Sequence, residues 1–196
     1  WGVKHAKLWR FHDPDGLWKA ETLSFGRYPI QNVLVAAFLP CGACGTWRAG
    51  KPPSTAIVTG HPDGHMNVWA RTKCLRRLKA HSADLMCMRL RCYREESGGE
   101  GRLRLLTAGK DGKVANWDVS FTPADEEGKG YHAPWPTPAP FVEGGKAHVR
   151  LPPPSKKEPP PAIRGLDWCP PAAGQPRSSC RLLLGTSACD VWEVSE

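Results

Sequence analysis

Short apolar-rich runs, broken by Gly, Pro and Asp, follow one another along this chain, and their spacing predicts strands throughout. Residues 2–10 and about 17–24 read as two strands joined by the turn Asp13-Pro-Asp-Gly16. Residues 32–38, 55–60, 65–70 and 73–79 read as a group of four, and 84–92, 102–108 and 113–118 as a group of three. A last pair follows at 162–168 and 181–184. Between strands, 41–53 and 122–161 are rich in Gly and Pro and read as loops. The runs Trp135-Pro-Thr-Pro-Ala-Pro140 and Leu151-Pro-Pro-Pro-Ser-Lys-Lys-Glu-Pro-Pro-Pro161 lack the N–H groups a central strand needs, so a solvated, polyproline-like excursion is expected there. Pro152 and Pro159, close to Lys156 and Lys157, also offer a proline-rich recognition segment.

Two of the predicted groups are copies of one pattern. Thr59, Asp63-Gly64 and Trp69 recur as Thr107, Asp111-Gly112 and Trp117, each at a constant offset of 48. Such a period lies somewhat above the ~40–45 residues of a WD-type blade. A strand, an Asp-Gly turn and a strand ending in Trp are the middle of a four-stranded propeller blade. Trp9 upstream and Trp192 downstream extend the frame more loosely, the latter without an Asp-Gly pair. The expected organisation is therefore all-β, with WD40-type β-propeller blades. Residues 1–24 are closing strands of a truncated blade, 25–80 and 81–121 are blades, 122–161 is a Pro-rich insertion and 162–196 is a partial blade. About two and a half blades plus the truncated one fall short of the roughly 4–8 that close a propeller. With a start at Trp1 in mid-blade, the chain reads as a piece of a longer one.

The repeat also carries a constellation of polar side chains. His81, Thr107, Asp111 and Trp117 stand where an Asp in the turn accepts from an imidazole, the imidazole meets a Thr hydroxyl, and the Thr meets an indole N–H, so that buried polar groups satisfy one another. A His/Asp/Thr set also has the residue types of a catalytic triad, but the matched spacing favours a structural network. The group at 32–79 has Thr59, Asp63 and Trp69 with no His ahead of Asn32, so its network is expected to be incomplete.

Other motifs narrow the resemblance. Gly2-Val-Lys-His5-Ala-Lys-Leu-Trp9, Leu23-Ser-Phe-Gly26, Gln31-Asn-Val-Leu-Val-Ala-Ala-Phe38, Thr59-Gly60 through Trp69, Lys79-Ala-His81, Gly109-Lys-Asp-Gly-Lys113, Ile163-Arg164 and Leu184-Gly-Thr186 follow one another in order. The combination resembles the tandem-propeller region of the echinoderm microtubule-associated protein-like family and covers most of 1–118 and 162–196. The resemblance implies a non-catalytic scaffold that binds tubulin or microtubules, without a cofactor, in the cytoplasm at the cytoskeleton, in a cilium or a spindle. The stretch 122–161 is longer than that family's usual connection, and Ser187-Ala-Cys-Asp190 replaces its usual polar turn. A propeller holding another protein complex together is the alternative, and a nucleic-acid-binding propeller the third.

Charge adds a candidate surface. The chain's formal net charge is +8, concentrated in Arg71, Lys73, Arg76, Arg77 and Lys79 on a predicted outer strand and in Arg89, Arg91 and Arg94 beyond it. Lys and Arg on an outer strand either block edge-to-edge pairing or meet an acidic partner. Aromatic residues do not interleave with these cations, apart from Tyr93, which disfavours nucleic acid. Cys41-Gly-Ala-Cys44 has half the spacing of a zinc site, with His61 and His65 as a conceivable other half, but a second tight pair is lacking and no metal is expected. The eight Cys read as free thiols of a reducing compartment. No apolar run reaches the ~18–20 residues of a membrane span, and no phosphate-binding Gly loop or nucleophile elbow is present, so no enzyme is expected.

Overall fold

The computed structural model describes residues 6–12, 16–39, 56–93, 102–121, 134–141, 146–169 and 181–195, and all of its regular elements are strands. The expectations for Gly2–His5, the turn residues 13–15, Cys41 and Cys44, Arg94, Cys180 and residues 122–133 fall outside the described residues.

Four antiparallel sheets follow one another along the chain. The first pairs β1 (Lys7–His12) with β2 (Leu17–Thr22). The second is a meander of β3 (Val35–Leu39), β4 (Ala56–Gly60), β5 (His65–Ala70) and β6 (Lys73–Lys79). The third is built on β7 (Leu85–Tyr93), β8 (Arg102–Gly109) and β9 (Lys113–Phe121). Its outer edge has two pieces, β10 (Pro134–Pro138) and β11 (His148–Arg150), both paired with β9. The fourth is β12 (Ile163–Cys169), β13 (Arg181–Thr186) and β14 (Val191–Ser195).

Alternation along each strand sends one set of side chains toward the preceding sheet and the other toward the next. Leu8, Leu23 and Phe25 pack with Ile57 and Trp69 between the first and second sheets. Val58, Met66 and Val68 meet Leu105 and Trp117 between the second and third. Leu106, Ala108 and Val114 meet Ile163, Leu166, Leu182 and Leu184 between the third and fourth. The second and third sheets bury both faces because each has a neighbour on either side. The first sheet lacks one among the described residues, and Trp9, Phe11 and Trp18 on its outer face are 57%, 52% and 64% exposed.

The hairpin turns need residues that tolerate positive φ. Gly64 (φ 74°) and Gly112 (φ 68°) close the β4–β5 and β8–β9 turns. A Cβ at Gly64 would lie 2.2 Å from the His81 carbonyl oxygen and 2.5 Å from that of Ala83, so the turn is also clamped against the following loop. In the fourth sheet Cys189 takes the left-handed position at φ 64°.

The Pro-rich stretch departs from its expected state. Residues 134–138 form an edge strand on β9 rather than a solvated excursion, and 148–150 form a second edge piece. Parity explains why proline is tolerated. Ala139 N–H donates to the Asn116 carbonyl at 2.9 Å, so odd-numbered residues turn their backbone groups toward β9. Pro134, Pro136 and Pro138 fall on the alternate positions, where the missing N–H would point away from the ladder. A boundary at 122 therefore separates the third sheet from its own outer strand.

Candidate functional site

In the third sheet the β8–β9 hairpin brings Thr107 beside Trp117, and the loop after β6 delivers His81 to the same place. Trp117 Nε1 donates to Thr107 Oγ1 at 3.0 Å. That hydroxyl has one proton left, and its partner is His81 Nε2 at 3.0 Å. His81 Nδ1 then donates to Asp111 Oδ1, also at 3.0 Å. The Asp111 carboxylate takes three further donors: Ser82 N–H at 2.9 Å, Ser82 Oγ at 3.1 Å and Lys113 N–H at 3.2 Å. Burial works against its charge, yet the His81 hydrogen bond and the two backbone donors outweigh burial and hold the carboxyl far below the usual carboxylate range. The His81 side chain is 0% exposed and that of Asp111 7%. The ring nitrogens of His81 are both engaged within the relay, on Thr107 and on Asp111.

The second sheet has its own relay, with a different histidine. Trp69 Nε1 donates to Thr59 Oγ1 at 2.9 Å, Thr59 Oγ1 meets His61 Nε2 at 2.9 Å, and His61 Nδ1 donates to the Asn32 carbonyl at 2.9 Å. The expectation of an incomplete network is corrected here. The histidine comes from the β4–β5 turn, two residues after Thr59, instead of from the loop ahead of the inner strand. Burial pushes the His61 imidazole toward neutrality. Phe25 stands edge-on to the Trp69 ring at 4.9 Å and seals the group from the side of the first sheet.

Asp63 is released from the role its counterpart Asp111 plays. It accepts from Gln31 Nε2 at 3.0 Å and from His65 N–H at 3.1 Å, pairs with His65 Nδ1 at 3.0 Å, and pairs with the Arg77 guanidinium. Partial burial opposes its charge, but the donors from Gln31 and His65 and the nearby Arg77 prevail and lower its pKa. In the fourth sheet Trp192 lies opposite Leu184, the register position that Trp69 and Trp117 occupy opposite Ile57 and Leu105. Thr186 there turns its hydroxyl to the Ala188 N–H at 3.2 Å, because the turn is shorter.

The basic outer strand is less uniform than its sequence. Arg71 is exposed in the β5–β6 turn with φ 51°, and Lys73 is exposed. Arg76 is half-buried. Arg77 is taken up by Asp63, and Lys79 Nζ donates to the Asp63 carbonyl oxygen at 2.6 Å. Beyond β6, Arg89 pairs with Asp167 at 3.5 Å, and the Arg91 guanidinium lies 4.7 Å from the centre of the Trp168 ring. The expected edge of five cations is thus corrected: two of them are bound to the second sheet's own turn.

No group of three metal-ligating side chains occurs among the described residues, and His61 and His65 are committed to Thr59 and Asp63. No helix among the described residues is long and apolar enough to cross a membrane. His61, Gln31 and Ser82 are the contributors that motif alignment missed. Only His61 left a signal, its place immediately after Thr59-Gly60. No protein-family model matches the chain, and no curated protein matches it closely enough to count as a relative.

Proposed function

We propose that this chain is a run of WD-type propeller blades acting as a non-catalytic scaffold, and that the scaffold binds tubulin or microtubules in the cytoplasm. One observation carries the propeller reading. Two successive stacked meanders hold the same Trp–Thr–His relay, with Trp and Thr at a constant offset of 48, and each relay closes on itself inside the sheet interface. A His/Asp/Thr set with a fully buried imidazole supports a structural role in place of a catalytic one. The microtubule reading rests on the ordered motifs that resemble the echinoderm microtubule-associated protein-like family, together with the basic character of the chain. Cations exposed on the second sheet, Arg71 and Lys73, are the residues that would meet tubulin's acidic surface.

Microtubule co-sedimentation tests this. Arg71→Glu with Lys73→Glu is expected to weaken co-sedimentation while the protein stays folded, because both side chains are exposed. Binding of the unaltered protein is expected to fall between low and physiological salt, where the Debye length shrinks to about 8 Å. Protease removal of tubulin's acidic tails is expected to act like the charge reversal. Co-sedimentation that survives all three treatments refutes the charge-based contact, and a folded protein that never co-sediments points to a scaffold for another complex.

A further inference from the structure

A second basic surface lies on the rim of the third sheet, apart from β6. Lys110 and Lys113 flank the Asp111-Gly112 turn, Arg150 on β11 stands opposite Lys113, and Lys146 begins the same edge segment. The loop at 152–159 returns to that turn. Leu151 N–H donates to the Gly112 carbonyl at 2.9 Å, and Pro160 packs so closely on Gly112 that a Cβ there would come within 2.6 Å of it. Both ends of the loop are therefore pinned on one residue. Ser155 fixes the tip: its carbonyl accepts the Glu158 N–H at 3.2 Å, and its hydroxyl donates to Glu158 Oε1 at 3.2 Å and accepts the Lys157 N–H at 3.4 Å.

Charge on this rim is not neutralised from within. Residues 110–113 and 146–158 contain six Lys and Arg against two carboxylates, Asp111 and Glu158. Asp111 faces inward to His81 and Ser82, and Glu158 is engaged with Ser155. Among the described residues none of the six cations pairs with a carboxylate, unlike Arg77, Arg89, Arg104 and Arg181. Lys110, Lys146, Arg150, Lys156 and Lys157 are exposed.

The backbone beside these cations is open as well. Asn116 N–H donates to the Ala147 carbonyl, and Leu151 N–H reaches Gly112, so β11 turns its odd-numbered residues toward β9. The N–H and C=O groups of His148 and Arg150 point the other way, and no described strand takes them up. An extended peptide is the partner that uses both properties, adding a strand through main-chain bonds while alternate carboxylates meet the cations. Nucleic acid lacks the main-chain donors for this, and Phe141 is packed against the core between the third and fourth sheets rather than offered for base stacking.

We propose that the rim formed by β11, the Lys110–Lys113 turn and the loop at 152–159 binds an extended acidic peptide segment, with Arg150, Lys156 and Lys157 as its main contacts. The pinned loop holds the two lysines in place before binding, so little ordering is left to oppose it.

Fluorescence anisotropy with a labelled Glu-rich peptide of about a dozen residues tests the proposal, since each lost charge contact lowers affinity by a fewfold. Arg150→Glu with Lys156→Glu and Lys157→Glu is expected to weaken binding at least about tenfold, whereas Arg71→Glu with Lys73→Glu changes it less than about twofold. Pro154→Gly with Pro159→Gly, which leaves the charge unchanged, is expected to weaken binding a fewfold by loosening the loop. Should the triple reversal lower the melting temperature, Lys156→Gln with Lys157→Gln on the exposed tip decides the matter. The proposal is overturned if the wild-type protein does not bind the peptide, if the folded charge variants bind it as the wild type does, or if a single-stranded oligonucleotide of equal charge binds more tightly.

Discussion

Acid is expected to loosen the second sheet before it affects the third, and His61 is the reason. Thr59 Oγ1 accepts the Trp69 N–H, so its own proton goes to His61 Nε2, and Nδ1–H goes to the neutral Asn32 carbonyl. A second proton on the ring has nowhere favourable to point: Nε2 would then donate toward a hydroxyl already donating to it. Burial is the largest influence on His61 and lowers its pKa; the hydrogen bond to Asn32 and the Asp63 carboxylate favour the charged form, while Arg77 and His65 oppose it. The folded pKa is thus depressed below the unfolded value of 6.5. Stability from the neutral ring is fully present above that value and is lost as pH falls below it, because the unfolded chain then binds the extra proton. One group contributes at most about 1.4 kcal/mol per pH unit, so the limit at about pH 5 is about 2 kcal/mol. Asp111 stays ionised across this window. Urea unfolding of the wild type and of His61→Gln, which keeps one donor and one acceptor, at about pH 7.5 and pH 5 isolates the effect from the other histidines. The wild type is expected to lose up to about 2 kcal/mol more than the variant. Equal losses would refute the assignment of His61 as a neutral member of the relay.

Four further substitutions probe the turns and the other relay. Gly64→Ala and Gly26→Ala both place a Cβ at positive φ, at about 1–2 kcal/mol each, but only Gly64 faces backbone oxygens, at 2.2 and 2.5 Å, while nothing lies within 4 Å at Gly26. Gly64→Ala is therefore expected to lower the melting temperature clearly more, and equal shifts would contradict the clamped turn. Asp111→Ala leaves the buried His81 Nδ1–H without an acceptor, which costs about 1–3 kcal/mol. Asp111→Asn retains an acceptor oxygen and is expected to fall between that variant and the wild type in thermal denaturation.

Residue identity at fixed spacing was the legible part. Thr59, Gly64 and Trp69 and their copies could be aligned because each position demands one chemistry: a hydroxyl, a left-handed turn, a large ring with a donor. His61 was hidden because a relay needs an imidazole within reach of Thr59 Oγ1, and the turn supplies that reach as well as the preceding loop does. Composition hid the edge strand at 134–138. Counting prolines argues against a strand, whereas their alternate placement permits one, and Trp135-Pro-Thr-Pro holds that alternation in plain view. Arg77 and Lys79 were read as free charge because Asp63 lies fourteen and sixteen positions earlier, and only the folded hairpin brings its carboxylate and carbonyl to them. The all-β class followed from strand-length runs and turn residues, which depend on local sequence alone.

The Trp-bearing face of the second and of the third sheet packs on the lower-numbered neighbour, and Trp192 shares a face with Leu184, which packs on the third sheet. The stack therefore has a head and a tail. Its head is aromatic, formed by Trp9, Phe11 and Trp18. At its tail the outer face of the fourth sheet carries Leu183 and the Arg181–Glu193 pair. Faces that differ in this way do not join like to like by the packing used inside the stack, so any sheet added to it must arrive in the same sense as those already present. Rotation between neighbours then accumulates in one direction, and whether such an assembly becomes a ring or an open spiral is decided by that single angle, repeated at every step.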